Sequence, residues 1–393
     1  MIEIKDKLNC CGCEACANIC PKHCITMKED EWGFLYPKID AEKCIDCNLC
    51  NNVCPFVNKY DASVISANAT QSKDEEILKN SSSGGMFTTL SKYVVKNGGI
   101  SIGAQYRNKE IVHTIIESID DIGNHSGSKY VQSHINDIYI KVQQFLKNGK
   151  VVLFSGTPCQ VNALNCFLKK KYVNLYTVDF ACAGVSSPKV FSSYIEYMEK
   201  KYGKIQKINF RYKTYGYHSS TMYLKFANAK EYYRSRLTDY MTNIWTSYIA
   251  MRPSCSSCKT KGSNRSSDLT LFECWHFNDL TGVKDDNRGW TNVLVNTKKG
   301  MQLFNDSSKY LKIHQINYEK ALALDGNTYY KSATQVNNKN RFFSSFNRNG
   351  LVSAVKKYSD INFFSYVKEL LKPILYKTRL LTKFKRIFSS SRC

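Results

Sequence analysis

A chain of 393 residues is too long for one small domain and long enough for two or three. Hydrophobic residues make up 43%, enough for a sizeable core, yet the longest apolar runs, such as Val151–Phe154, fall far short of the roughly 20 residues of a membrane-spanning helix. The formal charge of +23 is spread along the chain without zinc-finger or basic-zipper spacing, which argues against nucleic acid and for an acidic protein partner or an anionic lipid surface.

The first eight residues mix Lys, Asp and Glu, unlike an export signal, so the expected location is the cytoplasm, with peripheral attachment at the inner membrane face as a variant. Seventeen cysteines at short, repeated spacings then read as metal ligands rather than a disulfide framework. Cys10, Cys13, Cys16 and Cys20 precede Pro21 in the pattern C-x2-C-x2-C-x3-C-P. Cys44, Cys47, Cys50 and Cys54 repeat it before Pro55, at a constant offset of 34 residues. Three thiolates within seven residues wrap one cubane, and the fourth reaches the other. Cluster one therefore takes Cys10, Cys13, Cys16 and Cys54, and cluster two takes Cys44, Cys47, Cys50 and Cys20. A pair of zinc sites is the alternative, but zinc knuckles lack this doubled pattern with its prolines. Cys11 and Cys24 stand outside it. Between the repeats, Ile25–Lys28 and Phe34–Pro37 read as strands of a hairpin around Trp32-Gly33.

After Tyr60 the pattern becomes α/β. Ser81-Ser82-Ser83-Gly84-Gly85 leads into a helix, Met86 to Lys96, ended by Gly98-Gly99. Ile100–Tyr106 and Ile111–Glu117 read as strands, Ile135 to Lys147 as a helix, and Val151–Phe154 as a strand. Ser155-Gly156-Thr157-Pro158 then turns into a helix beginning near Cys159, whose first turn favours a thiolate. Cys182 follows the next strand, Leu175–Phe180. Ser187-Pro188 opens a helix from Lys189 to Lys200. Alternating strands and helices predict a mostly parallel sheet. Glycines before a helix, as at Ser83-Gly84-Gly85, suit phosphate, though they are more often just a turn. Arg252-Pro253-Ser254-Cys255-Ser256-Ser257-Cys258 carries a further C-x2-C pair.

At this point the chain resembles the coenzyme F420 hydrogenase/dehydrogenase beta subunit family, which includes 7-hydroxymethyl chlorophyll a reductase. The resemblance rests on Ser82–Gly85, Gly127–Ser133 (GSKYVQS), Ser155–Gln160 (SGTPCQ), Asp179–Gly184 (DFACAG), Phe210–Tyr217 (FRYKTYGY), Arg252–Cys258 (RPSCSSC), Asp268–Thr270 and Gly289–Gly300 (GWTNVLVNTKKG). It implies an iron–sulfur flavoprotein oxidoreductase that joins [4Fe–4S] clusters to FAD and an organic redox substrate. A ferredoxin or another low-potential protein would be the electron donor. It implies a third [4Fe–4S] cluster on Cys159, Cys182, Cys255 and Cys258, against the alternative of inert thiols and an incomplete zinc knuckle. It places Ser83, Gly84 and Gly85 near the flavin phosphates. Lys129, Tyr130, Gln132 and Ser133 would lie along the ring or ribose, with Gly156 and Thr157 beside them. The implied organisation is an α+β ferredoxin-like module (1–59), an α/β flavin-binding body in N-terminal-like (60–148) and C-terminal-like (149–325) parts, and a basic helical tail (326–393). Relatives with an attached ferredoxin module occur in bacteria that make surface polysaccharides, so a glycan precursor is one conceivable substrate. A non-catalytic electron-transfer subunit of a hydrogenase or dehydrogenase is the competing reading.

One segment departs from the family. Many relatives read like I-G-D-x-W-G where this chain has Leu271-Phe272-Glu273-Cys274-Trp275-His276, so the resemblance does not carry coenzyme F420 as the substrate. His276, Glu273, Lys213 and His218 are candidates for proton delivery. In the tail, Asn337–Arg348 reads as a loop and 351–371 as helical. Residues 371–393 contain seven Lys or Arg and no acid, interleaved with Ile374, Leu375, Leu380, Leu381, Phe384, Ile387 and Phe388. That pattern fits a basic amphipathic helix on an anionic membrane surface, or a helix packed on the body.

Overall fold

A computed structural model of the chain describes residues 2–378, 380 and 381. The duplication read from the cysteines is also a duplication of backbone. Helix α1 (Ala15–Ile19) is entered from Glu14 at φ 64°, and the short helix α2 (Leu49–Asn52) from Asn48 at φ 59°. Gly12 and Asp46, one repeat apart, both have positive φ as well. Between the halves, β1 (Ile25–Glu29) pairs antiparallel with β2 (Leu35–Ile39), Ile25 opposite Ile39.

The body is one eight-stranded sheet. In chain order its strands are β3 (Ser66–Ser72), β4 (Ile100–Arg107), β5 (Glu110–Ile116), β6 (Val152–Ser155) and β7 (Leu175–Phe180). A separate antiparallel sheet follows, of β8 (Ile205–Tyr212), β9 (Thr221–Phe226) and β10 (Glu231–Arg234), before β11 (Leu269–Glu273), β12 (Thr291–Val295) and β13 (Leu311–Gln315) complete the large one. The order is β13-β3-β12-β11-β7-β6-β4-β5.

Only the central β4, β6, β7 and β11 run parallel. β5, β12, β3 and β13 each lie antiparallel to a neighbour, so the expected mostly parallel sheet is a mixed one. The reason is local at one edge: β4 and β5 form a hairpin whose turn residues, Asn108 and Lys109, both have positive φ, which matches strand twist in a two-residue turn. At the other edge β3 inserts between β12 and β13, a pairing of distant segments that periodicity does not encode.

Helices cover both faces. They are α3 (Glu75–Asn80), α4 (Met86–Lys96), α5 (Ile138–Lys147), α6 (Pro158–Leu168), α7 (Pro188–Tyr202), α8 (Tyr240–Thr246), α9 (Phe277–Thr281) and α10 (Lys298–Ser307). Alternation along β6 sorts the core: Val152 and Phe154 pack with α5 and α6, while Leu153 packs with α4 and α10. Cys13, Ala15 and Val53 of the N-terminal module join the α5–α6 layer, which docks that module on the body.

The chain continues through α11 (Tyr318–Asp325), α12 (Asn327–Tyr330), α13 (Lys339–Tyr358, interrupted at Gly350) and α14 (Phe363–Lys377). The expected loop at Asn337–Arg348 is therefore largely helical. Phe342, Phe343 and Phe346 are buried, and Phe343 stacks on Trp32 at 4.8 Å, an apolar stripe hidden by Asn- and Arg-rich neighbours. Residues 382–393, half of the basic stretch singled out in the sequence, lie outside the described residues. Among the described residues no helix is long and apolar enough to cross a membrane.

Candidate redox site

Cysteines gather in three groups. Burial chiefly, and then the charges of Cys13 and Cys10, push up the Cys16 thiol, which also feels Cys54. Cys54 is raised to about 11 by burial, with Cys13 and Cys10 again beside it. These are the four ligands expected of cluster one. For cluster two, Cys20, Cys44, Cys47 and Cys50 line a single cavity. Cys24, outside the repeat pattern, lines it too, its Sγ 3.3 Å from that of Cys20. Thiols gathered as Cys10, Cys13, Cys16 and Cys54 are suit a metal cluster, whose cations relieve the crowding of negative charge.

The third group comes from three separate segments. A capping box between Thr157 and Gln160, with Pro158 at the first position, starts α6 and puts Cys159 in its first turn. Cys182 follows β7, where the buried pair Asp179–Arg265 (3.1 Å) fixes the strand end and Lys261 Nζ donates to the Cys182 carbonyl at 2.6 Å. Cys255 and Cys258 sit on the 3-10 turn Pro253–Ser257 and its C-cap. Burial raises Cys182 to about 12, and it feels Cys159 and Cys258; Cys255 is raised too, facing Cys182, Cys258 and Cys159. The structure thus brings together the four thiols that the resemblance grouped. Cys11 joins them from the N-terminal module, its thiol pushed up chiefly by Cys13 and Cys159. Its thiol is the main cause that draws Cys159 down to about 7, with Thr157 Oγ1 3.1 Å away assisting.

Arg252 links the first and third groups. Only 1% exposed, its guanidinium donates from Nε to the Cys10 carbonyl (2.9 Å), from Nη1 to Gln132 Oε1 (2.8 Å) and from Nη2 to the Leu35 carbonyl (2.9 Å). It lies over the Tyr36 ring at 4.5 Å, and three residues later the chain reaches Cys255. Gly12 makes room for it: a Cβ there, at φ +64°, would stand 2.6 Å from Nη1.

A cleft of about 2170 Å³ opens above the third group, at the carboxyl ends of β6, β7 and β11, where open α/β sheets place ligands. Ser83, Gly85, Lys129, Tyr130, Gln132, Ser133, Gly156 and Thr157 line it. Their roles differ. Gln132 Nε2 donates to the Gly12 carbonyl (3.0 Å), so its amide is spent on module docking. Ser133 Oγ accepts from Gln160 Nε2 at 3.0 Å, and Tyr130 stacks on Trp245 at 3.7 Å. Gly84 sits behind the lining, its N–H given to Thr291 Oγ1 at 2.8 Å. Gly85, at φ 83°, starts α4 with no side-chain cap, which leaves the helix N-terminus facing the cleft. Lys129 is partly buried in the cleft wall. The surrounding protein lowers it to about 7, and its Nζ donates to the Ser126 carbonyl at 2.9 Å. The volume, the uncapped helix and a lysine whose charge is short of partners fit a phosphate-bearing flavin.

The four candidates for proton delivery also separate. His218 pairs with Asp285 (2.7 Å), His276 with Asp325 (2.7 Å) and Glu273 with Arg211, and all three candidates line the cleft. Trp275 lies among them, stacked on Tyr217 at 4.5 Å and under Arg211 at 4.8 Å. Lys213 instead braces the loop before α4 from outside the cleft lining, donating to Ser83 O (2.6 Å) and Leu78 O (2.7 Å); burial lowers it to about 7. Two lining histidines were not singled out in the sequence. His113 Nε2 is 3.0 Å from the Ser155 carbonyl, and burial lowers the ring to about 4; burial also pushes His125, beside Thr114 at 2.8 Å, well below the ordinary histidine range.

Residues 9–58 match the model of a 4Fe-4S dicluster domain. Residues 67–139 and 149–319 match the models for the N terminus and C terminus of the coenzyme F420 hydrogenase/dehydrogenase beta subunit. Among solved structures, a chain of the F420-reducing [NiFe] hydrogenase complex from Methanosarcina barkeri is similar at 17% identity and a TM-score of 0.43, over 76% of this chain and 93% of that one. No curated protein matches.

Proposed function

Because the chain belongs to the coenzyme F420 hydrogenase/dehydrogenase beta subunit family and carries a 4Fe-4S dicluster domain, we propose that it is an iron–sulfur flavoenzyme. Its electrons would come from a ferredoxin or another low-potential protein and leave to an organic molecule in the cleft. The observation that carries this reading is Arg252, whose Nε donates to the Cys10 carbonyl (2.9 Å) three residues before Cys255. It joins the first cysteine group of the N-terminal module to the group beneath the cleft.

Cys159, Cys182, Cys255 and Cys258 would hold a third [4Fe–4S] cluster there. A flavin bound above it supplies hydride exchange with the organic molecule and single-electron exchange with the clusters. The residues of the chain hold the parts in register. Arg252 and Gln132 lock the module to the cleft floor, and Lys129 with the α4 N-terminus offers positive charge to a phosphate. His218 and His276, each paired with a carboxylate, would hold or pass a proton in the cleft. Anaerobic purification followed by iron, acid-labile sulfide and flavin analysis tests the reading. It predicts about twelve irons per chain, three cubanes of four, and one flavin.

A further inference from the structure

Helix α14 turns its polar residues toward the protein and its apolar residues outward. Ser365, Glu369 and Lys372 are buried. Glu369 accepts from Ser235 N at 3.0 Å and from Ser235 Oγ at 2.5 Å. Asn362 and Ser365 form a capping box at the start, and Asn243 Nδ2 donates to Asp360 just before it. The orientation of the helix is therefore fixed by specific polar bonds rather than by chance packing.

Opposite that seat, Phe363, Phe364, Val367, Leu370, Leu371 and Ile374 recur at the spacing of one helical face. All six are exposed, Phe363 by 75%, Phe364 by 71% and Leu370 by 71%. At 100° per residue they span one stripe of about 120°, with Lys368 and Lys377 at its two edges. Long basic side chains at the margins of an apolar stripe can keep their stems in an apolar medium and their charges at its polar boundary.

We propose that this stripe is a docking surface for an anionic membrane, with α14 lying in the headgroup region parallel to the bilayer. The choice of occupant follows from charge. Apart from the buried Lys372, residues 371–393 carry six Lys or Arg and no Asp or Glu, a complement for negative headgroups. A second copy of a chain with net charge +23 would bring the same basic stretch against itself. The proposal is independent of the electron path.

The test is co-sedimentation of the cluster-loaded full chain with phosphatidylcholine vesicles and with vesicles that also contain phosphatidylglycerol. A triple variant, Phe364→Ser, Leu370→Ser and Ile374→Ser, runs in parallel; these side chains are exposed, so an unchanged melting temperature certifies its fold. The expected result is binding to the anionic vesicles that weakens with salt and falls at least about 100-fold in the triple variant. Failure of the wild type to bind, or equal binding by the triple variant, overturns the proposal. So does a wild-type dimer that the triple variant converts to a monomer without any vesicle binding, since the stripe would then be a self-association surface.

Discussion

The guanidinium of Arg252 donates to the carbonyl oxygen of Cys10 at 2.9 Å and holds Nη2 3.6 Å from the Cys10 Sγ. A fixed positive charge thus sits against one expected ligand of cluster one, while the same chain segment delivers Cys255. Added electrons make a cluster more negative, so this charge favours its reduced form. Arg252→Gln should lower the reduction potential of that cluster by on the order of tens of millivolts, read by EPR-monitored titration. Arg252→Lys keeps the charge but not the three-way fork. It should keep most of the potential and lose stability instead, at roughly 1–3 kcal/mol for each carbonyl left unpaired.

Gly12→Ala tests the same junction from the other side. Its Cβ would crowd Arg252 Nη1 at 2.6 Å and would also hold an unfavourable φ of +64°. A destabilisation of about 1–3 kcal/mol is expected, seen as a lower melting temperature. A melting temperature unchanged from the wild type would mean that the module does not depend on this close approach.

Cys159→Ser should reduce the iron content by about four atoms per chain and leave the N-terminal clusters intact. Cys11→Ser should leave the iron content unchanged, since Cys11 is outside each expected ligand set. Loss of iron on removing Cys11 would make it a ligand and redraw the third group.

The fold was legible where chemistry is local. The two C-x2-C-x2-C-x3-C-P repeats mark a 4Fe-4S dicluster domain because the spacing fits one loop around one cubane, and Met86–Lys96 shows its start and stop residues. Contacts between distant segments were not legible. Gln132 reads as a flavin neighbour within its motif, yet its amide bridges to Gly12, 120 residues away. Arg252 opens the RPSCSSC stretch, yet its role was hidden, because its partners are the distant Cys10, Leu35 and Gln132. The grouping of Cys159, Cys182, Cys255 and Cys258 came from resemblance; composition and spacing alone left them as scattered thiols. The mixed sheet was missed for the same reason, since strand patterns do not state their partners.

Lys129 should make the proposed flavin site sensitive to pH. Burial lowers it to about 7, below its value in an unfolded chain, so without an anion it costs stability as pH falls from the lysine range toward 7. A phosphate beside it favours the charged form, so flavin binding should take up a proton and weaken as pH rises above about 7. Calorimetry in buffers of different ionisation heat measures that uptake at about pH 8. Lys129→Met should abolish it and weaken binding roughly tenfold or more.

The central claim is that electrons reach a flavin in the cleft through the cysteine group beneath it. The direct measurement mixes the anaerobic holoprotein with reduced ferredoxin and follows the flavin and cluster absorbance in the wild type and in Cys159→Ser. The account predicts rapid flavin bleaching in the wild type. In the variant the N-terminal clusters should still be reduced while bleaching slows by orders of magnitude. Equal bleaching in both proteins, or no flavin in the wild type, would contradict it.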